Sequence, residues 1–165
     1  MLTARAQQPP EWEMADYTAC PYSKREVVDA GKALAGKIAY DQRSLPEIVE
    51  TFRIAHSWRR ANLYPMRRVR DELGGKIRAT KAEALTAARL KRMVSIRKKL
   101  RSGPLSLYQM QDLGGCRAII GDQAQLNRLV ERYEAGESAH AIVRDNDHIA
   151  SPRADSGYRS LHLVF

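Results

Sequence analysis

The sequence predicts a mixed α/β domain in which an N-terminal helical segment precedes a mixed β-sheet flanked by helices. Three observations carry that expectation. Apolar residues recur at helical spacing from Val27 to Leu73, strand-like runs follow residue 80, and the elements then alternate in the order β-α-β-α-β-β. A chain of 165 residues can bury one sizeable core. The expected organisation is therefore an irregular leader over 1–21, a helical segment over 22–80 and an α/β core over 81–165.

The leader, with Gln7, Gln8, Pro9 and Pro10, has no periodicity. Ser23-Lys-Arg-Glu26 is a capping box, and Val27, Ala30, Leu34 and Ile38 then place a helix over about 24–38. A second box, Ser44-Leu-Pro-Glu47, starts a longer helix through Ile48, Phe52, Ala55 and Trp58, ending near Leu63 because Pro65 disfavours helical geometry at Tyr64. A third helix is expected from Pro65 to Leu73, with Gly74-Gly75 as its stop.

A strand over 84–90, a basic helix over 94–101 and a Gly103-Pro104 break follow. Leu113–Ile120 reads as a buried strand. Asp122 can cap a helix whose inner face is Leu126, Leu129, Val130 and Tyr133, and Gly136 can end it. Ala139–Val143 and Tyr158–Phe165 are the last two expected strands, joined by a polar loop.

The formal charge of +9, from 28 Lys and Arg against 19 Asp and Glu, points to a phosphate-bearing partner without choosing between nucleotide, nucleic acid and anionic membrane. Cys20 and Cys116, too few and too far apart for a disulfide framework or zinc cluster, are expected as reduced core thiols. No run approaches the roughly 20 apolar residues of a membrane span, so the expected location is the cytoplasm, with no membrane partner.

Chemistry concentrates in three places. Arg89–Arg101 holds seven basic residues, with no acidic residue between Glu83 and Asp112. Arg89 and Lys91 share a strand face, and Ser95 and Lys99 share a helix face at i, i+4. Such a set can hold phosphates, although a solvated basic helix face has the same composition. Asp112, opening the next strand, suits a magnesium ligand or a loop aspartate paired with Arg117. Tyr158, Ser160 and His162 alternate onto one strand face, where tyrosine can stack on a base and histidine can bond phosphate or ribose; an ordinary strand tyrosine and an exposed histidine are the plainer alternatives. Gly-x-x-x-x-Gly-Lys-Ser/Thr and Gly-x-Gly-x-x-Gly are both absent, His56, His140 and His148 are isolated, and Trp12 and Trp58 suggest no cofactor box.

Taken in order, these segments resemble the synthetase domain of the RelA/SpoT family over roughly Arg89–Phe165. Arg89, Lys91, Ser95, Ile96 and Lys99 meet a pattern like R-x-K-x-x-x-S-I-x-x-K. Asp112 and Arg117 meet D-x-x-x-x-R, and Pro152, Arg153, Gly157, Tyr158, Ser160 and His162 meet a loop like P-K-x-x-G-Y-x-S-x-H. Tyr22-Ser-Lys, Ala30-Gly31, Trp58-Arg59 and Tyr64-Pro65 are similar to the small single-domain synthetases of phages and toxin modules.

The resemblance implies a nucleotidyltransferase-like mixed sheet and a GTP diphosphokinase activity that passes the β,γ-pyrophosphate of ATP to the ribose 3′-hydroxyl of GDP or GTP. The tRNA 3′ end is the alternative acceptor. Arg89 would stack on adenine, Lys91, Ser95 and Lys99 would hold the ATP phosphates, and Asp112 would be catalytic through Mg²⁺. Tyr158 would stack on the acceptor base, with Arg153 and His162 near its phosphates or ribose. An antitoxin or a second copy of the chain are the implied protein partners. Two departures stand out: the Pro152–Gly157 loop is one residue longer than usual and carries Ser156 in place of an asparagine. The family also places a glutamate on a later strand that no residue here matches, so a fragment, a truncated product or an inactive nucleotide- or RNA-binding form is a further expectation.

Overall fold

A computed structural model describes residues 18–36 and 43–165. Along the chain run α1 (Lys24–Leu34), α2 (Leu45–Ala61), α3 (Leu63–Ala79), β1 (Ala84–Leu90), α4 (Met93–Arg101), β2 (Gly114–Ile120), α5 (Gln123–Glu134), β3 (Arg144–Asp147) and β4 (Leu161–Val164). The α/β class and the β-α-β-α-β-β order after three helices are as the sequence predicts. The strands, however, form two two-stranded sheets, β1 with β2 and β3 with β4, in place of one mixed sheet. In the second sheet Arg144 pairs with Val164 and Asp147 with Leu161 in antiparallel register.

Both capping boxes form. Ser23 Oγ accepts from the Glu26 amide while Glu26 accepts from the Ser23 amide, and Glu47 accepts from the Ser44 amide at 2.8 Å. These bonds satisfy donors that a helix start otherwise leaves orphaned. The first helix stops at Leu34, short of the predicted Ile38. The expected extension over 37 and 38, like the leader over 1–17, lies outside the described residues.

The third helix corrects the sequence reading most. It begins at Leu63, taking Pro65 into its first turn, and passes through Gly74-Gly75 to Ala79. Two glycines cost roughly 1 kcal/mol each in a helix interior. Leu73 and Ile77 offset that by packing with Leu129 and Tyr133, so tertiary burial overrides the local stop signal. Gly136, by contrast, does end its helix, at φ +72°.

The chain divides into two compact units. The first comprises the described residues up to Arg68 together with Ala87–Arg117. Here α1 packs on α2 and α4, and Val27, Leu34, Ala55, Ile96, Leu100, Leu107, Met110 and Leu113 form the core. Fully burying each large side chain is worth about 1.5–3 kcal/mol before entropy is counted. Gly31 sits so close to Leu107 that a Cβ at this position would come within 2.7 Å of the leucine Cβ, which is why the α1 stripe has no side chain there.

The second unit comprises Val69–Thr86 and Ala118–Phe165, around Ile77, Leu129 and Tyr133. Lys76 is only 7% exposed here, with its ammonium over the Tyr133 ring and bonded to the Glu137 carbonyl. β2 is not the buried strand the apolar run suggests: its residues alternate between half-buried and exposed, as in a sheet with one open face. The last two strands are shorter and shifted. β3 lies beyond Ala139–Val143, and β4 starts at Leu161, leaving Tyr158 and Ser160 in the loop before it.

Candidate functional site

In the first unit, α4 buries Ile96 and Leu100 and thereby turns Lys99 toward the start of β2. Lys91 follows β1, where its amide donates to the Leu113 carbonyl at 2.8 Å. The ammonium groups of Lys91 and Lys99 both meet Asp112 Oδ2, at 3.0 and 2.9 Å. Both of these contacts fall on the same carboxylate oxygen.

Partial burial pushes the Asp112 carboxyl up, but hydrogen bonds from Lys99 and Lys91 and their positive charges outweigh it and hold the group below the usual carboxylate range. The aspartate is therefore ionised at neutral pH. The alternative Asp112–Arg117 pair does not form; the ion pairs of Asp112 run to Lys91 and Lys99. Arg89 and Ser95 are exposed, on β1 and α4.

Sequence reasoning left Arg59 without a role. Its Nε donates to the Lys91 carbonyl at 2.6 Å, anchoring the backbone that carries the first of the two lysines. Trp58, beside it, donates to the Leu107 carbonyl and stacks on Tyr108 with centroids 5.0 Å apart. The resemblance singled out Trp58-Arg59, but a contact spanning 32 residues has no local signature.

In the second unit Arg153, Tyr158 and His162 come together. Tyr158 Oη and His162 Nε2 share a hydrogen bond of 2.9 Å, and the Arg153 guanidinium lies 5.9 Å from the Tyr158 ring centre. Gly157, at φ +64°, makes the turn that lets the Arg153 amide donate to the Tyr158 carbonyl. The face argument for Tyr158, Ser160 and His162 thus fails in its premise, since only His162 is on β4; the turn brings the tyrosine to the histidine instead.

His148, which the sequence left isolated, packs edge-on to His162 at 5.2 Å and to Tyr158 at 6.1 Å. Burial, then the charges of His148 and Arg153, pull the His162 pKa below its ordinary value. Its imidazole is therefore neutral near pH 7 and able both to accept and to donate.

Among the described residues no three carboxylate, histidine or cysteine side chains gather into a metal site, and none of the helices is long and apolar enough to cross a membrane. Cys20 and Cys116 are both half-buried.

These features place the C-terminal part of the chain among mixed α/β domains with a charged, phosphate-compatible surface. More particularly, residues 88–165 match the family described as the region found in RelA / SpoT proteins, which supports a RelA/SpoT-family synthetase domain over this span. That match supports a pyrophosphokinase-family function in general. No curated protein matches the chain.

Proposed function

We propose that the domain transfers the β,γ-pyrophosphate of ATP to the ribose 3′-hydroxyl of GDP or GTP, as a GTP diphosphokinase in guanosine tetraphosphate metabolism. The observation that carries this reading is the ionised Asp112 held between Lys91 and Lys99, within a segment of RelA/SpoT type. In the reaction the 3′-oxygen bonds to the β-phosphorus while the bond from that phosphorus to the α-phosphate breaks, and AMP leaves. Such transfers are catalysed by alignment and charge neutralisation.

Lys91, Ser95 and Lys99 hold the ATP phosphates, and Arg89, exposed on β1, covers the adenine. Asp112 would suit Mg²⁺ because it is an ionised carboxylate beside the phosphate-binding lysines, and this ion typically takes one or two protein carboxylates with the rest from phosphate and water. When bound, the ion neutralises charge on the transferring phosphates. Tyr158 offers its face to the acceptor base, while Arg153 and the neutral His162 meet acceptor phosphate or ribose.

A second reading, transfer to the 3′ end of tRNA, draws on the +9 charge, which favours a polyanionic acceptor. Incubation with β- and γ-labelled ATP, Mg²⁺, GDP, GTP and deacylated tRNA tests both readings. Label on the guanosine nucleotides, lost in Asp112→Ala, is the expected result, and label on tRNA alone selects the second reading. ATP-analogue binding without transfer to any acceptor would make the domain a nucleotide-binding module and sink both.

A further inference from the structure

The basic helix α4 has a second charged face that the proposed reaction leaves unused. Arg97, Lys98 and Arg101 line a shallow hollow of about 410 Å³ with Val94 and Ser102. Helical geometry puts Val94, Arg97, Lys98 and Arg101 on one stripe at i, i+3, i+4 and i+7, turned away from the stripe of Ser95 and Lys99.

Three features distinguish this stripe from an ordinary solvated helix face. No ion pair engages Arg97, Lys98 or Arg101 among the described residues, whereas Lys91 and Lys99 share Asp112. The Nε of Arg97 is shielded from solvent and has no hydrogen-bond partner among the described residues, so no internal acceptor holds this guanidinium in place. Val94, 78% exposed, adds an apolar contact at the rim. The helix dipole accounts for cations in the last turn, but not for an arginine that no acceptor among the described residues engages.

We propose that this outer face of α4 binds the phosphate backbone of a single nucleic-acid strand, independently of the ATP-dependent reaction. Cations at successive turns along a helix meet successive phosphates, and guanidinium groups bond them bidentately. The hollow is lined by no aromatic ring, so contact is with the backbone and tolerant of sequence. A membrane surface fits less well: an interfacial helix needs a broad apolar face, and that of α4, Ile96 and Leu100, is spent in the core.

The test uses the full chain and fluorescent oligonucleotides of mixed sequence, RNA and DNA in separate arms, with anisotropy read across a salt series. The Arg97→Gln/Lys98→Gln/Arg101→Gln variant is expected to bind all sequences more weakly and to lower the salt slope by about 2, from roughly 0.7 per phosphate contact on a single strand. Lys98→Gln/Arg101→Gln, which leaves the half-buried Arg97 in place, should lower it by about 1.4 and guards against a folding artefact. Arg25→Gln/Arg53→Gln/Arg70→Gln removes the same formal charge elsewhere and should change the slope far less.

A preference between RNA and DNA identifies the natural strand, and equal binding assigns recognition to the phosphates alone; either accords with the proposal when the α4 variants weaken it. Equal losses in both triple variants would reduce the effect to net charge, and unchanged binding in the α4 variants would remove the site. Anionic vesicles that bind through this face when oligonucleotides do not would assign it to membrane and overturn the proposal. Label transfer from ATP to a guanosine nucleotide does not depend on this face, so failure here and failure of the proposed reaction are separate outcomes.

Discussion

Arg59 Nε donates to the Lys91 carbonyl at 2.6 Å, so a side chain of α2 holds the backbone between β1 and α4. Lys91 in turn meets Asp112. Hydrogen bonds from charged groups contribute about 1.5–3 kcal/mol where solvent is excluded, and the half-buried Arg59 should fall at or below the lower end. Arg59→Met is expected to cost about 1 kcal/mol in urea unfolding and to weaken ATP-analogue binding several-fold. Unchanged analogue affinity would show that this anchor serves stability alone.

Asp112→Asn removes the charge that Lys91 and Lys99 share. Pyrophosphate transfer is expected to fall by at least about 100-fold, on the scale of losing one electrostatic contact in a transition state. Binding of an ATP analogue without Mg²⁺ should hold or improve, because two ammonium groups are released toward phosphate. A loss of metal-free binding equal to the loss of transfer would remove the proposed division of labour.

The lowered pKa of Asp112 also sets a pH dependence. The unfolded state binds its proton at the ordinary carboxylate value of 3.8 and the folded state only at lower pH, so between these values the unfolded chain carries more protons. The contribution of Asp112 is therefore complete above about pH 5 and is lost as pH falls through the folded value. Acid unfolding of Asp112→Asn should be flatter than that of the parent over this window, and identical curves would contradict the assignment.

His162 should titrate below 6.5 by NMR, since burial and the charges of His148 and Arg153 disfavour its cationic form. Arg153→Gln is expected to raise that pKa, and His148→Gln to raise it further when the two are combined. Between the folded value and 6.5 the unfolded state binds the extra proton, so His162 disfavours folding progressively as pH falls through this range. A titration at or above 6.5 would mean that the three-ring cluster does not persist in solution.

Lys76 carries the second unit's most buried charge, over Tyr133 and 3.9 Å from Glu72. Lys76→Ala removes that cation and leaves Glu72, whose Oε1 already lacks a hydrogen-bond partner, without its ammonium. A loss of about 3 kcal/mol is expected by thermal or urea unfolding. Lys76→Met, which keeps the stem volume, should cost less, and equal losses would assign the whole effect to the lost charge and none of it to packing.

The sequence by itself determined whatever rests on neighbouring residues. Ser23-x-x-Glu26 and Ser44-x-x-Glu47 each bond within one turn, Asp122 caps α5 through the Gln125 amide, and Gly136 ends it. The order of helices and strands, and a basic helix followed by an aspartate, were legible for the same reason.

Tertiary structure alone decided the rest, because long-range burial competes with local preference. Leu73 and Ile77 keep α3 helical through Gly74-Gly75, where local chemistry writes a stop. Arg59 reaches Lys91, Asp112 is shared by Lys91 and Lys99 and not by Arg117, and His148 joins Tyr158 and His162. Each of these contacts is set by where the core places a backbone, a quantity that no residue pattern in one short window encodes.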